Sequence, residues 1–192
     1  MNRLLLIGLL ALLSGCASRV TTGIYVLSPP INAQASAGVR LAGLHLQPVS
    51  LPDYLDTTEI LLRVGPNRLA ASETGRWGER LSKGVTGALA AALVRRLPGL
   101  AVTTGTASET AALQWQVDIE SFDVQPDGHC LLAARWALLS GDGRATRSSG
   151  RGVFEVAASG RAGDPAIAAA MGEAIGQLAD RLAAATEQEQ RR

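Results

Sequence analysis

Few of the residues that do chemistry are present in a chemical arrangement. The sequence has only two histidines, His45 and His129, far apart and without the cysteine or carboxylate neighbours of a zinc site. Cys130 adjoins His129, but neighbours on a strand point to opposite faces and chelate poorly. Neither a metal nor a cofactor is therefore expected. Asp118, Glu120 and Asp123 are the one close group of carboxylates, and two of them share a strand face. They read as a solvated surface rather than an acid/base pair. There is no Gly-x-Ser-x-Gly nucleophile elbow, Walker-type phosphate loop or dinucleotide glycine fingerprint, and Gly141-Asp142-Gly143 has the composition of a hairpin turn. The chain is accordingly read as a non-enzyme.

Long hydrophobic runs are also missing, save one. Met1-Asn2-Arg3 leads into an apolar stretch from Leu4 to Leu13, followed by Ser14-Gly15-Cys16. That core is about half the ~20 residues of a membrane-spanning helix, which suits an export signal that is removed. The residues ending at Cys16 resemble a bacterial lipobox, so residues 1–15 are expected to be a signal peptide and Cys16 a lipidated N-terminus. An ordinary secretory signal followed by a chance cysteine is the alternative. Two or three acyl chains, at ~0.8 kcal/mol per buried methylene, suffice as an anchor. Ala17 rather than aspartate after the cysteine points to the outer membrane, facing the periplasm. Loss of Arg3 leaves 17 basic against 17 acidic side chains, a balance with no electrostatic footprint for nucleic acid. With Cys16 carrying lipid, Cys130 has no intrachain partner and is read as a core thiol, with intermolecular pairing the alternative.

Residues 16–22 are read as lipidated cysteine and short tether, 23–186 as one domain, and 187–192 as a frayed polar tail. Within the domain, strands are expected at Ile24–Leu27, Val39–Gln47 and Glu59–Val64, and a brief one through Leu69 after a Pro66-Asn67 turn. Trp77, Leu81, Val85, Ala88, Leu89, Ala92, Leu93 and Leu97 recur at helical spacing, and Pro98-Gly99 ends that helix. Leu113, Trp115, Val117 and Ile119 alternate with polar residues, and the phase slips at Ser121-Phe122 as at a bulge. Turns at Gln125–Gly128 and Gly141–Gly143 then divide three antiparallel strands. A last helix follows Asp164-Pro165, with Asp164 as its cap. The fold expected is two-layer α+β, a mainly antiparallel sheet with two amphipathic helices on one face.

Three segments carry a family likeness: Ile24-Tyr25-Val26-Leu27, Leu51-Pro52-Asp53-Tyr54-Leu55-Asp56 and Arg76-Trp77-Gly78-Glu79-Arg80-Leu81. In this order and spacing they resemble the PqiC-type family of ABC-type transport auxiliary lipoproteins. Its pattern is a Tyr-x-Leu strand, a Leu-Pro-x-Tyr-Leu-Asp segment and an Arg-Trp-x-x-x-Leu helix start. Tyr25, Leu27, Arg76, Trp77 and Leu81 match it; Val26, where a polar residue is frequent, and the Ala- and Gly-rich composition depart from it.

The resemblance implies an auxiliary subunit of an intermembrane lipid transport system that supports membrane integrity. The implied partners are an MCE-domain protein and, in some systems, an inner-membrane ABC transporter, with a homo-oligomer left open. No catalytic residue is carried over. Leu51, Pro52, Tyr54 and Leu55 are the candidate partner-binding residues, with Tyr54 and Leu55 tucked under the sheet edge as the alternative. Trp77 is read as core before contact residue, and Arg63 and Arg76 as ion-pair partners for Asp53, Asp56 or Glu79. The competing function is a periplasmic lipid-binding carrier, which needs an apolar cavity that His129 to Leu139 would line.

Overall fold

The computed structural model describes residues 22–28, 42–105, 111–158 and 163–192. The export segment, Cys16 and most of the tether lie outside the described residues, as does the Pro29–Leu41 stretch with the start of the second expected strand. Among the described residues, eight strands and two helices run in the order β1 (Gly23–Tyr25), β2 (Ala42–Leu46), β3 (Glu59–Gly65), β4 (Arg68–Trp77), α1 (Leu81–Arg96), β5 (Leu100–Thr104), β6 (Ala111–Val124), β7 (His129–Ser140), β8 (Thr146–Ala157) and α2 (Asp164–Gln190).

All strands join one forked sheet. The stem is the antiparallel meander β6–β7–β8. The other edge of β6 is shared: β2 lies along its first half with β5 outside, and β3 meets its end at Val124, carrying β4 and then β1. Between them Ser50 bridges Asp118, its N–H donating to the Val117 carbonyl at 3.1 Å. Four of the seven pairings are parallel (β1–β4, β2–β5, β2–β6, β3–β6), so the expectation of a mainly antiparallel sheet is replaced by a mixed one. Turn residues report hairpins, which are local. Parallel partners come from distant parts of the chain and leave no turn signal.

The meander follows its hydrophobic pattern. Trp115, Val117 and Ile119 face the core; a bulge between Ile119 and Ser121 resets the phase, so Phe122 and Val124 face it too. Opposite them on β7 stand Cys130, Leu132, Ala134 and Leu138, all fully buried. Gly128, at φ +87°, closes the first turn in a conformation L side chains rarely adopt. On β8, Gly150 leaves room for the Trp136 indole: a Cβ there would sit 2.7 Å from Nε1.

The helices differ from the sequence expectation at their ends. Trp77 closes β4, and α1 begins at Leu81, not at Trp77. The strand expected to stop near Leu69 continues because β3 supplies a hairpin partner, although Ala70 to Arg76 show no apolar alternation. Asp164 is the first helical residue of α2 and makes no capping bond; its Oδ2 accepts from Thr74 Oγ1 at 2.6 Å, fastening the helix to β4. The α2 helix runs to Gln190, through most of the segment expected to fray. Buried Thr186 accepts the Trp115 indole N–H at 3.0 Å and ties that end to β6. The two helices pack on each other, with α1 on β5 and α2 on β7, β8 and β1. An Arg96 Nε to Asp180 Oδ1 contact of 2.5 Å joins them.

Candidate functional site

The three recognisable segments, scattered in sequence, meet at one corner of the fold. Parallel pairing sets Gly23 beside Gly75, Ile24 beside Arg76 and Tyr25 beside Trp77. The chain then locks: Gly78 N–H donates to the Tyr25 carbonyl and Trp77 N–H to the Thr58 carbonyl, both at 2.7 Å, and Leu81 N–H reaches the Thr57 carbonyl at 3.1 Å. Leu27, Trp77 and Leu81 are buried there, and Tyr25 packs half-buried against the core. Arg76 stays exposed and pairs with neither Asp53 nor Asp56.

Asp56 is the functional group of this corner that sequence reasoning used only as an ion-pair candidate. Arg80, at the N-cap position of α1, makes no side-chain capping bond. Asp56 fills that role from 26 residues upstream, its Oδ1 accepting the Ser82 N–H at 3.0 Å. Its other oxygen accepts from Arg80 Nε at 3.1 Å, while Arg80 Nη2 bonds the Asp56 carbonyl at 2.8 Å. Burial pushes the carboxyl pKa up, but the Ser82 N–H and Arg80 outweigh it and hold it below the usual value. Its signal in the sequence was its place at the end of the Leu51–Asp56 segment, just before the chain turns toward β3.

That segment divides into inward and outward residues. A tight turn, with Leu55 N–H on the Pro52 carbonyl at 2.9 Å, drives Leu55 into the core at 1% exposure. Leu51 packs partly against the core and Pro52 is half-buried. Of the four candidate contact residues only Tyr54 stands out, at 50% exposure. Leu55 is therefore a core residue and not an available contact. Tyr54 lies within electrostatic reach of Arg63, whose guanidinium grips buried Asp123 at 2.5 Å, with Gln125 Nε2 donating to the same carboxylate. The Asp123 hydrogen bond raises the arginine pKa against the opposing effect of desolvation. Arg63 thus pairs across to β6 rather than with Asp53 or Asp56.

Two of the three clustered carboxylates, Glu120 and Asp123, are paired as well. Glu120 bridges Arg135 at 2.9 Å and Arg151 at 2.8 Å, and Asp123 is held by Arg63, so these two carboxylates are spent on ion pairs. His45 is buried on β2 beside Thr103 Oγ1 at 3.3 Å. His129, on β7, lies 3.2 Å from Asp127 without hydrogen-bond alignment. Among the described residues no three His, Cys, Asp or Glu side chains cluster as a metal site would require. Burial, helped by the Asp123 charge, pushes the Cys130 thiol up to about 12, so it is a packing group and not a nucleophile. The apolar strand that a lipid carrier would use as cavity lining has its inner side filled: Cys130, Leu132, Ala134 and Leu138 belong to the core under α2.

These features define a scaffold that joins an N-terminal strand to a helix start and presents surface groups. The family model described as "ABC-type transport auxiliary lipoprotein component" matches residues 25–183, from the Tyr25 motif nearly to the end of α2. The chain belongs to this family. Among curated relatives it is 27% identical over 133 residues to the Intermembrane transport lipoprotein PqiC of Escherichia coli K12, covering 66% of this chain and 68% of that one. The fold is shared with protein XCC0632 of Xanthomonas campestris (TM-score 0.70, 15% identity, 88% of this chain and 99% of that one). It is shared also with a crystal structure of an uncharacterized protein (TM-score 0.71, 18% identity, 85% and 97%). No helix among the described residues is long and apolar enough to cross a membrane.

Proposed function

We propose that this protein is the lipid-anchored auxiliary subunit of an ABC-type intermembrane lipid transport system, held by Cys16 in the outer membrane and facing the periplasm. There it docks the MCE-domain component of the transport assembly and supports membrane integrity. The observation that carries the reading is the family match over residues 25–183, laid on a corner where Tyr25, Trp77, Leu81 and Asp56 tie the first strand and the start of α1 together. The strand that follows the tether is bonded, through Tyr25, Gly78 and Trp77, to the segment that leads into α1, which supports a fixed attachment between that strand and the body of the domain. Tyr54, half exposed, offers an aromatic contact with a polar tip.

The test is crosslinking and capture from envelope fractions with wild-type, Cys16→Ser and Tyr54→Ala proteins. Wild type is expected to bring down an MCE-domain protein, Cys16→Ser to lose or mislocalise it, and Tyr54→Ala to lose it while keeping its fold. A wild-type bait that captures no MCE-domain protein overturns the docking role. Retained capture by a folded Tyr54→Ala protein removes Tyr54 from the interface.

A further inference from the structure

We infer that the face formed by Ile24 of β1 and Val26 just after it rests on the bilayer that receives the acyl chains of Cys16. This depends on the lipid-anchor reading and adds which side of the domain meets lipid. Ile24 and Val26 are 63% and 61% exposed, while the residues between and after them, Tyr25 and Leu27, turn into the domain. Gly78 lies against both: a Cβ there would sit 3.4 Å from Ile24 Cγ2 and 3.5 Å from Val26 Cγ2, so bare backbone keeps the patch low. Arg76 is the register partner of Ile24, is exposed, and makes no ion pair among the described residues. Two β-branched apolar side chains beside a free guanidinium suit the level where acyl chains meet anionic headgroups.

Chain length supplies the second argument. Cys16 precedes Ile24 by eight residues, which span at most about 29 Å even when fully extended. A domain of this size is about 40 Å across, so the tether holds the β1 side toward the membrane. Val153, equally apolar and 64% exposed, lies on β8 at the far edge of the sheet and has no such constraint.

The experiment uses full-length lipidated protein in phosphatidylethanolamine/phosphatidylglycerol vesicles, with an environment-sensitive fluorophore on Ile24→Cys, on Val26→Cys as a second probe, and on Val153→Cys as reference. Buried Cys130 does not compete for label. Emission from positions 24 and 26 is expected to shift to the blue, to be quenched by nitroxide-bearing lipid and to be spared by aqueous iodide; position 153 should show the reverse. Iodide quenching at 24 and 26 equal to that at 153, in protein that still floats with the vesicles, overturns the inference and leaves the anchor intact. Protection from both quenchers means that protein covers the patch, which also overturns it. Wild-type protein that fails to float removes the anchor reading, and this inference with it.

Discussion

The β6–β7–β8 meander and the β3–β4–β1 branch belong to one sheet but are held in different ways. In the meander each strand pairs with its neighbour in sequence, through turns whose backbone bonds lie within a few residues, such as Gly128 N–H to the Gln125 carbonyl at 2.9 Å. The branch joins the stem through a single parallel register pair, Leu62 with Val124. Side chains reaching across the sequence do the rest: Arg63 to Asp123, Asp56 to Ser82 and Thr74 to Asp164. Local pairing leaves the meander to hydrophobic burial, whereas the branch adds these polar bonds between distant residues to its own buried Ile60 and Trp77. Substitutions in the two regions should therefore fail by different physics.

The largest effect should come from the meander core. Leu132→Ala removes a fully buried side chain and should lower unfolding free energy by about 3 kcal/mol in urea titration, because the cavity collapses only in part. In the branch, Arg63→Ala strands the Asp123 carboxylate, which is 1% exposed. Since the arginine side chain is itself 22% exposed, water can enter, and the expected cost is about 2 kcal/mol rather than the full penalty of a buried charge. If Arg63→Ala proves neutral by the same titration, the polar account of the branch is wrong.

Asp56→Ala should cost about 1 kcal/mol, the ordinary value of a lost helix cap, and should raise amide exchange in the first turn of α1 before it affects the meander. Its pH dependence has a defined sign. The folded-state pKa lies below the unfolded value of about 3.9, so the carboxylate's contribution is fully present above that value and fades as pH falls through the folded pKa. Wild type and Asp56→Ala should thus converge in stability only in acid, below about pH 4. The smallest effect should be Arg151→Ala on the open face. Its pair with Glu120 is solvent-washed, and a change above about 0.5 kcal/mol would show that this ion-pair group is more than surface decoration.

The same contrast explains what could be read before the structure. The bulge at Ser121, both hairpin turns, the buried thiol of Cys130 and the core stripe of α1 were all legible, because period, turn chemistry and burial act over a few residues. The end of β4 was not: Ala70 to Arg76 have no apolar period and are a strand because β3 and β1 flank them. The strand β5 and every parallel pairing were missed for the same reason. At the candidate site, Tyr54 and Leu55 stood side by side with equal claims, and only the turn begun at Pro52 sends one outward and the other into the core. Asp56 could be seen as a charged residue but not as a cap, since its helix begins 25 residues later.

Sequence by itself determined the α+β class, the local hairpins, the two helices and the family, because these rest on hydrophobic period, turn residues and motif order. Tertiary structure alone decided which distant strands run parallel and that Trp77 ends a strand instead of opening a helix. It also decided that Asp56 caps α1, that Arg63 holds Asp123, and that Ile24 and Val26 face outward beside Arg76. Each of those outcomes depends on groups brought together from far apart in the chain, where the gain from a contact is known only once the loop between its partners has closed.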